Sequence, residues 1–209
     1  MARWFLQEMG QREIDEAEKR NIAPEEVLDE IIRDIPPGSL GLMLQPHWTP
    51  HPSLKYSKGS LIGFASAHTR AHIYRAILEG IVFELKRLGD RVQQKTGVRL
   101  SEIRVGGGGS KSDVAVQIAA DIFSLPVKRM NTYETCALGA AIDTAVATGI
   151  FGDFETAVNS MVHVGQEFLP DSEKSRIYGE LFKDVYLKTF NVLTPLYKRS
   201  TEITGYTEN

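Results

Sequence analysis

Cysteine is nearly absent from this chain of 209 residues, and Cys136 is its single instance. One cysteine excludes an intramolecular disulfide and a zinc cage built from several thiolates, and it is compatible with a reducing compartment. Long apolar runs are absent too. No stretch reaches the roughly 20 residues of a membrane-spanning helix, and the first residues lack the apolar segment of a signal peptide. We therefore expect a cytoplasmic location and no membrane partner.

An excess of charge of one sign is also lacking. The chain has 24 Lys and Arg residues against 27 Asp and Glu residues, a formal net charge of -3. Basic residues cluster at most in pairs, whereas a polyanion-binding surface needs a basic patch, so we expect no nucleic-acid partner. What the chain does have is 42% hydrophobic residues, which is enough for an ordinary buried core.

The first hundred residues show a helical and then a mixed pattern. Residues 11–34 are spaced as one or two helices broken near Pro24. Apolar runs at 40–44 and 59–66 predict strands, separated by a loop whose prolines exclude a regular element. A long helix is then predicted from about residue 67 to 96, with apolar residues at Ile73, Ile77, Ile81, Leu85, Leu88 and Val92.

Two glycines lie within or just after the predicted long helix. Gly80 lies in its middle, where glycine costs about 1 kcal/mol relative to alanine. We therefore expect a neighbouring element to pack closely against that turn. Gly97 is placed to cap the helix.

Strands and helices alternate in the next fifty residues. The predicted elements are a strand at 102–105, a helix at about 112–123, a strand at 126–130 and a helix at about 134–148. This order favours an α/β layer with adjacent parallel strands. Residues 153–197 read as helices only, the last one interrupted near Pro195, and we expect 199–209 to form a frayed tail.

Four consecutive glycines, Gly106 to Gly109, lie between a predicted strand and the next helix. Glycine permits positive φ and lets a ligand approach main-chain N–H groups without a Cβ in the way. The N-terminus of the following helix adds unpaired N–H donors and a positive dipole end, which favour phosphate. A nucleotide phosphate is therefore the natural ligand, and a packed or flexible turn is the alternative.

Two common phosphate-binding motifs do not fit this turn. A P-loop ending at Lys111 and Ser112 would require glycine where the chain has Val105 and Ser110. A dinucleotide-binding fingerprint, Gly-x-Gly-x-x-Gly, that starts at Gly106 or Gly107 would require its third glycine where the chain has Lys111 or Ser112. The acidic residue expected after the second strand is also missing until Glu134.

A larger set of residues surrounds the turn in a recognisable order. The set comprises Gly107, Gly108, Gly109, Ser112, Gln117, Ala120, Asp121 and the Ala-Leu-Gly-Ala-Ala run at 137–141. Upstream, residues 59–85 add a second set, made of Gly59, Gly63, His72, Ala76 and Glu79. Together they resemble the C-terminal domain of the FGGY carbohydrate kinases, with Phe64 standing where an aliphatic residue is usual.

The resemblance implies an α/β fold, an actin-like ATPase (ribonuclease-H-like) domain that forms the C-terminal half of a two-domain sugar kinase. We expect a helical lead-in at 1–36, the nucleotide-binding domain at 37–198 and the tail at 199–209. In the family, an Asp-x-Gly-Thr turn and the aspartate that deprotonates the sugar lie in the N-terminal domain, and neither Asp-x-Gly-Thr nor Asp-x-Gly-Ser occurs here. The chain alone, lacking that half, is expected to be inactive.

The resemblance also implies ligands and contact residues. ATP is the expected cofactor, a sugar or polyol the substrate, and Mg²⁺ would arrive with ATP rather than bind a cage of its own. The main chain of Gly107, Gly108 and Gly109 would contact the phosphates. Ser112, with Ala137 and Gly139 at the start of the next helix, would line the adenosine pocket. No catalytic or metal-ligating residue is expected in this chain.

Other interpretations stay open. A dinucleotide-binding oxidoreductase domain would bind NAD in preference to ATP, and a non-catalytic actin-like module would stay inactive even with its N-terminal domain. A homodimer is a further open alternative. His68 and His72 have the spacing of a zinc pair on a helix, and His47 and His51 of the proline loop could complete such a site, but Thr69 stands where the adjacent glutamate is usual. Trp48 and Tyr56 could stack on a sugar, and Cys136 is expected to pack as a small hydrophobe.

Overall fold

The computed structural model describes residues 1–48 and 56–206. Its first part is helical: α1 (Ala2–Met9), α2 (Gln11–Arg20) and α3 (Pro24–Ile32). The predicted break is confirmed, since Asn21 ends α2 in the left-handed conformation and Pro24 opens α3, where its missing N–H costs nothing. These helices pack on the long helix α4 (Arg70–Thr96) in one apolar cluster built around Phe5, Leu28, Ile32, Tyr74 and Ile77.

A short hairpin lies between α3 and α4. β1 (Met43–Gln45) pairs antiparallel with β2 (Ser60–Ile62), so both predicted strands exist but are shorter than their apolar runs. Residues 49–55 of the loop between them lie outside the described residues. Gly97 ends α4 with φ +73°, which confirms the predicted cap.

The second part alternates strands and helices around a three-stranded sheet in the order β3-β4-β5. Its elements are β3 (Ile103–Val105), α5 (Asp113–Phe123), β4 (Val127–Met130), α6 (Thr135–Ala147), α7 (Phe154–Met161), β5 (Val164–Phe168), α8 (Ser172–Leu181), a π-helical turn (Phe182–Tyr186) and α9 (Leu187–Thr204). β3 and β4 are parallel, as the alternation predicts. In the described part of the chain, no helix is long and apolar enough to span a bilayer.

The prediction of helices only after residue 153 is wrong, because β5 pairs antiparallel with β4. The sequence of β5, Val-Gly-Gln-Glu-Phe, exposes all but its last residue and so lacks an apolar alternation. The predicted end of the last helix is also wrong. α9 continues through Pro195 to Thr204, so the residues expected to begin a frayed tail are helical.

The helix α4 crosses β1 at Gly80. A Cβ at Gly80 would lie 2.5 Å from the carbonyl oxygen of Leu44, which confirms the close neighbour expected from the sequence. In the apolar stripe of α4, Ile77 is buried and Ile73 and Ile81 are half-buried around this crossing. Leu85, Leu88 and Val92 are exposed, although their spacing continues the same face.

A buried carboxylate lies beside this crossing. Glu79 accepts hydrogen bonds from the Gly38 N–H (3.1 Å), the Ser39 hydroxyl (3.1 Å), the Tyr178 hydroxyl (2.7 Å) and Arg75 Nε (3.0 Å). Burial raises the pKa of the Glu79 carboxyl, and the Arg75 guanidinium and the Tyr178 hydroxyl oppose that shift. The carboxylate thus connects the turn before β1 with α4 and α8.

Replacing the two glycines of α4 tests the crossing. We expect Gly80→Ala to lower the free energy of unfolding by about 1–3 kcal/mol, since the Leu44 carbonyl is backbone and cannot turn aside. Gly89→Ala is the matched control. Its Cβ would meet Phe123 at an ordinary 3.4 Å, so the better helix propensity of alanine should raise stability by about 0.5–1 kcal/mol. Urea denaturation of both variants measures the difference, and a stabilised Gly80→Ala would contradict the close crossing.

Candidate functional site

The glycine run forms a turn at the carboxyl end of β3, between that strand and α5. α6 starts beyond the carboxyl end of the parallel neighbour β4, and therefore at the same edge of the sheet. In open α/β sheets, ligands bind in the crevice outside the carboxyl ends of the strands. The fold thus brings the predicted phosphate residues and the predicted adenosine residues of α6 to one edge.

The protein itself explains two of the four glycines. A Cβ at Gly106 would lie 2.3 Å from Cγ2 of Thr135, so the turn packs directly against the first residue of α6. Gly107 has φ +81° and ψ -179°, a combination that is essentially restricted to glycine. Its N–H donates to the carbonyl of Tyr133 at 3.1 Å, just before α6. These contacts fix the turn beside the helix start.

The other two glycines have no such explanation within the protein. A Cβ at Gly108 or Gly109 would meet no atom within 4 Å, and neither residue has a positive φ. Both are exposed. Packing and backbone conformation would therefore allow a side chain at either position, and the physical reason that remains for glycine is the close approach of another molecule.

The turn is held by its own hydrogen bonds. Residues Gly108–Lys111 form a 3₁₀ turn in which Ser110 is buried. The Ser110 N–H and hydroxyl both donate to the Gly107 carbonyl, at 3.1 Å and 2.8 Å. The ammonium of Lys111 lies 5.3 Å from the centre of the Tyr133 ring, which keeps a positive charge next to the turn.

Ser112 is the N-cap of α5. Its hydroxyl accepts the Ala115 N–H at 2.9 Å and donates to Oδ1 of Asp29 at 2.7 Å. Burial raises the pKa of the Asp29 carboxyl, and the hydrogen bond from Ser112 works against that shift. The proton of the Ser112 hydroxyl is therefore already committed, and the hydroxyl can only accept a further hydrogen bond.

Ala137 and Gly139 lie in the first turns of α6 and are exposed. The N-cap residue of α6 is Glu134, but its side chain makes no capping hydrogen bond, so the N-terminal N–H groups of α6 have no side-chain acceptor. Cys136 is exposed in the same turn. The expectation that it packs as a small hydrophobe is therefore wrong, because α6 buries only Ile142 and Ala145.

Sequence reasoning missed two residues that hold the turn. Asp29 is 83 positions away from Ser112, and Arg129 of β4 donates from Nη1 to the Ser110 carbonyl at 3.1 Å and to Asp113 at 2.7 Å. No local pattern marks either residue, since each is brought to the turn by tertiary packing.

The other residues singled out in the sequence have local roles. His68 precedes α4 rather than lying in it, and its Nδ1 accepts the Ala65 N–H at 2.7 Å. His72 accepts the Thr69 N–H at 3.2 Å, which caps α4. Residues 1–48 and 56–206 contain no group of three or more His, Cys, Asp or Glu side chains that could hold a metal ion. Trp48 packs edge-on against Trp4, with ring centres 4.9 Å apart.

The model of the C-terminal domain of the FGGY family of carbohydrate kinases matches residues 2–148. The chain therefore belongs to this family, and it has the fold that the resemblance implies, the actin-like C-terminal domain.

The proteins that this chain resembles are longer than the chain itself. The uncharacterized sugar kinase YgcE of Escherichia coli (strain K12) is 35% identical over 201 residues, which are 96% of this chain and 41% of that protein. A xylulose kinase of Bacillus subtilis (strain 168) is 32% identical over 85% of this chain and 37% of its own length. The crystal structure of a xylulose kinase from Rhodospirillum rubrum has a TM-score of 0.73 at 25% identity, over 94% of this chain and 37% of that one. The chain thus spans about two fifths of these relatives.

Single alanine substitutions separate the glycines that the protein requires from those that it does not. We expect Gly107→Ala to lower the free energy of unfolding by about 1–3 kcal/mol, because its φ and ψ are strained for any side chain. Gly108→Ala and Gly109→Ala should stay within about 0.5 kcal/mol of the wild type. Urea denaturation measures all three. Equal destabilisation by the three substitutions would mean that the turn is constrained along its whole length.

Proposed function

We propose that this chain is the ATP-binding half of an ATP-dependent sugar or polyol kinase. Membership in the FGGY family supports the reaction class. The choice of ATP as the ligand rests on Gly108 and Gly109. Both positions are glycine although the protein itself leaves room for a side chain at each. A nucleotide phosphate beside their main chain supplies the missing reason.

The proposed contacts follow from the polar groups at the sheet edge. The main chain of Gly107, Gly108 and Gly109 lies against the phosphates, and the N–H groups of Gly108 and Gly109 donate to them, because the N–H of Gly107 is already donated to the Tyr133 carbonyl. The ammonium of Lys111 is nearby. Ser112 accepts a hydrogen bond from a ribose hydroxyl, because its own proton is donated to Asp29. Mg²⁺ would arrive with ATP, bound to its phosphate oxygens.

Ala137 and Gly139 complete the proposed adenosine pocket. Both are small and exposed at the start of α6, so the base can lie flat against the helix without displacing a side chain. The contact between Gly106 and Thr135 keeps this helix start next to the phosphate turn. One nucleotide can therefore contact both elements.

The reaction itself needs a second half. A sugar hydroxyl attacks the γ-phosphorus of ATP, the bond to the β-phosphate oxygen breaks, and a base takes the hydroxyl proton. Catalysis of this step rests on positioning and on stabilising the phosphoryl charge, so two domains that close on the nucleotide can share it. This chain would position ATP, and the N-terminal half would supply the base and hold the sugar. The chain alone is therefore expected to be inactive.

The oxidoreductase alternative has weaker support from the residues. A dinucleotide site places an acidic residue after the second strand to bind the ribose, and β4 is followed by Asn131, Thr132 and Tyr133. The non-catalytic module can be distinguished from the kinase only by an activity assay with the N-terminal half present, in which the module would stay inactive. The cytoplasmic location and the homodimer stay predictions.

Calorimetric titration of the purified chain tests the ligand. We expect binding of Mg-ATP and Mg-ADP and none of NAD, with at least about tenfold weaker ATP binding by Gly108→Ala and Gly109→Ala, because a Cβ would occupy the place of the phosphates. Gly152→Ala is the matched control, since its Cβ also meets no atom within 4 Å but lies between α6 and α7. Preferential binding of NAD would replace the kinase with the oxidoreductase, and unaltered ATP binding by both variants would remove the phosphates from this turn.

A further inference from the structure

The side chain of Arg129 lies beneath the phosphate turn. It extends from β4, its side chain is 12% exposed, and its guanidinium lies 5.2 Å from the centre of the Phe168 ring of β5. Nη2 donates to Oε1 of Gln166, also on β5. The guanidinium is thus fixed by the central and edge strands of the sheet before it contacts the turn.

The other terminal nitrogen, Nη1, reaches the last residues of the turn. It donates to the carbonyl oxygens of Ser110 at 3.1 Å and Lys111 at 3.4 Å, and to Oδ1 of Asp113 at 2.7 Å. Two of these acceptors are main-chain carbonyls that directly precede α5. A fixed arginine therefore sets the direction of two consecutive peptide groups.

The direction matters because a peptide group is planar and trans. Its carbonyl oxygen and its N–H point in opposite directions. When Arg129 draws the carbonyls of Ser110 and Lys111 toward the sheet, the N–H groups of Lys111 and Ser112 turn away from it. The carbonyl oxygens, which repel an anion, are held on the side of Arg129.

We propose that Arg129 is a positioning residue for the nucleotide phosphates, which orients the peptide groups between the glycine turn and α5 without contacting the nucleotide. This inference rests on the proposed function of the turn. It predicts that losing Arg129 weakens the binding of phosphate-bearing ligands and loosens the turn even in the absence of ligand.

Tryptic cleavage after Lys111 measures the turn directly, since Lys111 is exposed. We expect Arg129→Gln to accelerate cleavage of the Lys111–Ser112 bond in the folded chain by about tenfold, because several hydrogen bonds to a charged group are lost. Arg129→Lys should be intermediate. Arg104→Gln is the matched control: Arg104 lies on β3 two residues before Gly106, pairs with Glu102, and should leave the cleavage rate unchanged. Wild-type cleavage kinetics in Arg129→Gln would overturn the proposal.

Calorimetry then separates positioning from general damage. Arg129→Gln should bind Mg-ATP and Mg-ADP about tenfold more weakly and adenosine as the wild type does, because only the phosphates lie on the turn. An equal loss of affinity for ATP and for adenosine would show that Arg129 supports the fold in general and does not position the phosphates. If the wild type binds neither compound, the proposed function fails for this chain, while the cleavage rates still decide whether Arg129 holds the turn.

A second variant distinguishes positioning from charge neutralisation. Arg129 also neutralises Asp113, whose carboxylate would otherwise repel phosphate. In the double variant Arg129→Gln/Asp113→Asn that repulsion is absent. We expect both the weak ATP binding and the fast cleavage to persist, because the carbonyls of Ser110 and Lys111 still lack the hydrogen bonds from Arg129. Full recovery of ATP binding would show that Arg129 only neutralises Asp113 and would overturn the positioning role.

Discussion

The buried carboxylate of Glu79 is the interaction on which the arrangement of the other elements depends. A charge removed from water is tolerable only when its hydrogen bonds are complete, and Glu79 has donors from the main chain, a serine, a tyrosine and an arginine. Arg75 in turn donates to the Ile32 carbonyl at the end of α3. Loss of any partner would leave a buried polar group unpaired, so α3, the turn before β1, α4 and α8 are fixed together.

The position of the candidate site follows from that arrangement. α5 packs between α4 and α8, through Ile118 and Ile122 in the cluster that contains Phe83 and Tyr178. Since the glycine turn leads directly into α5, fixing this helix also fixes the turn relative to β3 and α6. The apolar core thus determines where the N–H groups of the turn are presented, although none of its residues belongs to the site.

The four glycines illustrate how one sequence feature can have several physical causes. Gly106 is small because α6 adjoins it, and Gly107 because its backbone adopts a conformation closed to other residues. Gly108 and Gly109 have neither reason, which makes them the informative pair for a ligand. A single explanation for the whole run would have hidden this distinction.

The sequence by itself determined the family, the parallel pair β3 and β4, the cap at Gly97 and the close contact at Gly80, because each depends on a local pattern or an ordered set of motifs. Only the tertiary structure decided the strand β5, whose exposed residues carry no periodicity, and the exposure of Cys136. It alone also decided the roles of Asp29 and Arg129. Both act through partners distant in sequence, and the contacts exist only after the sheet and the helices have packed.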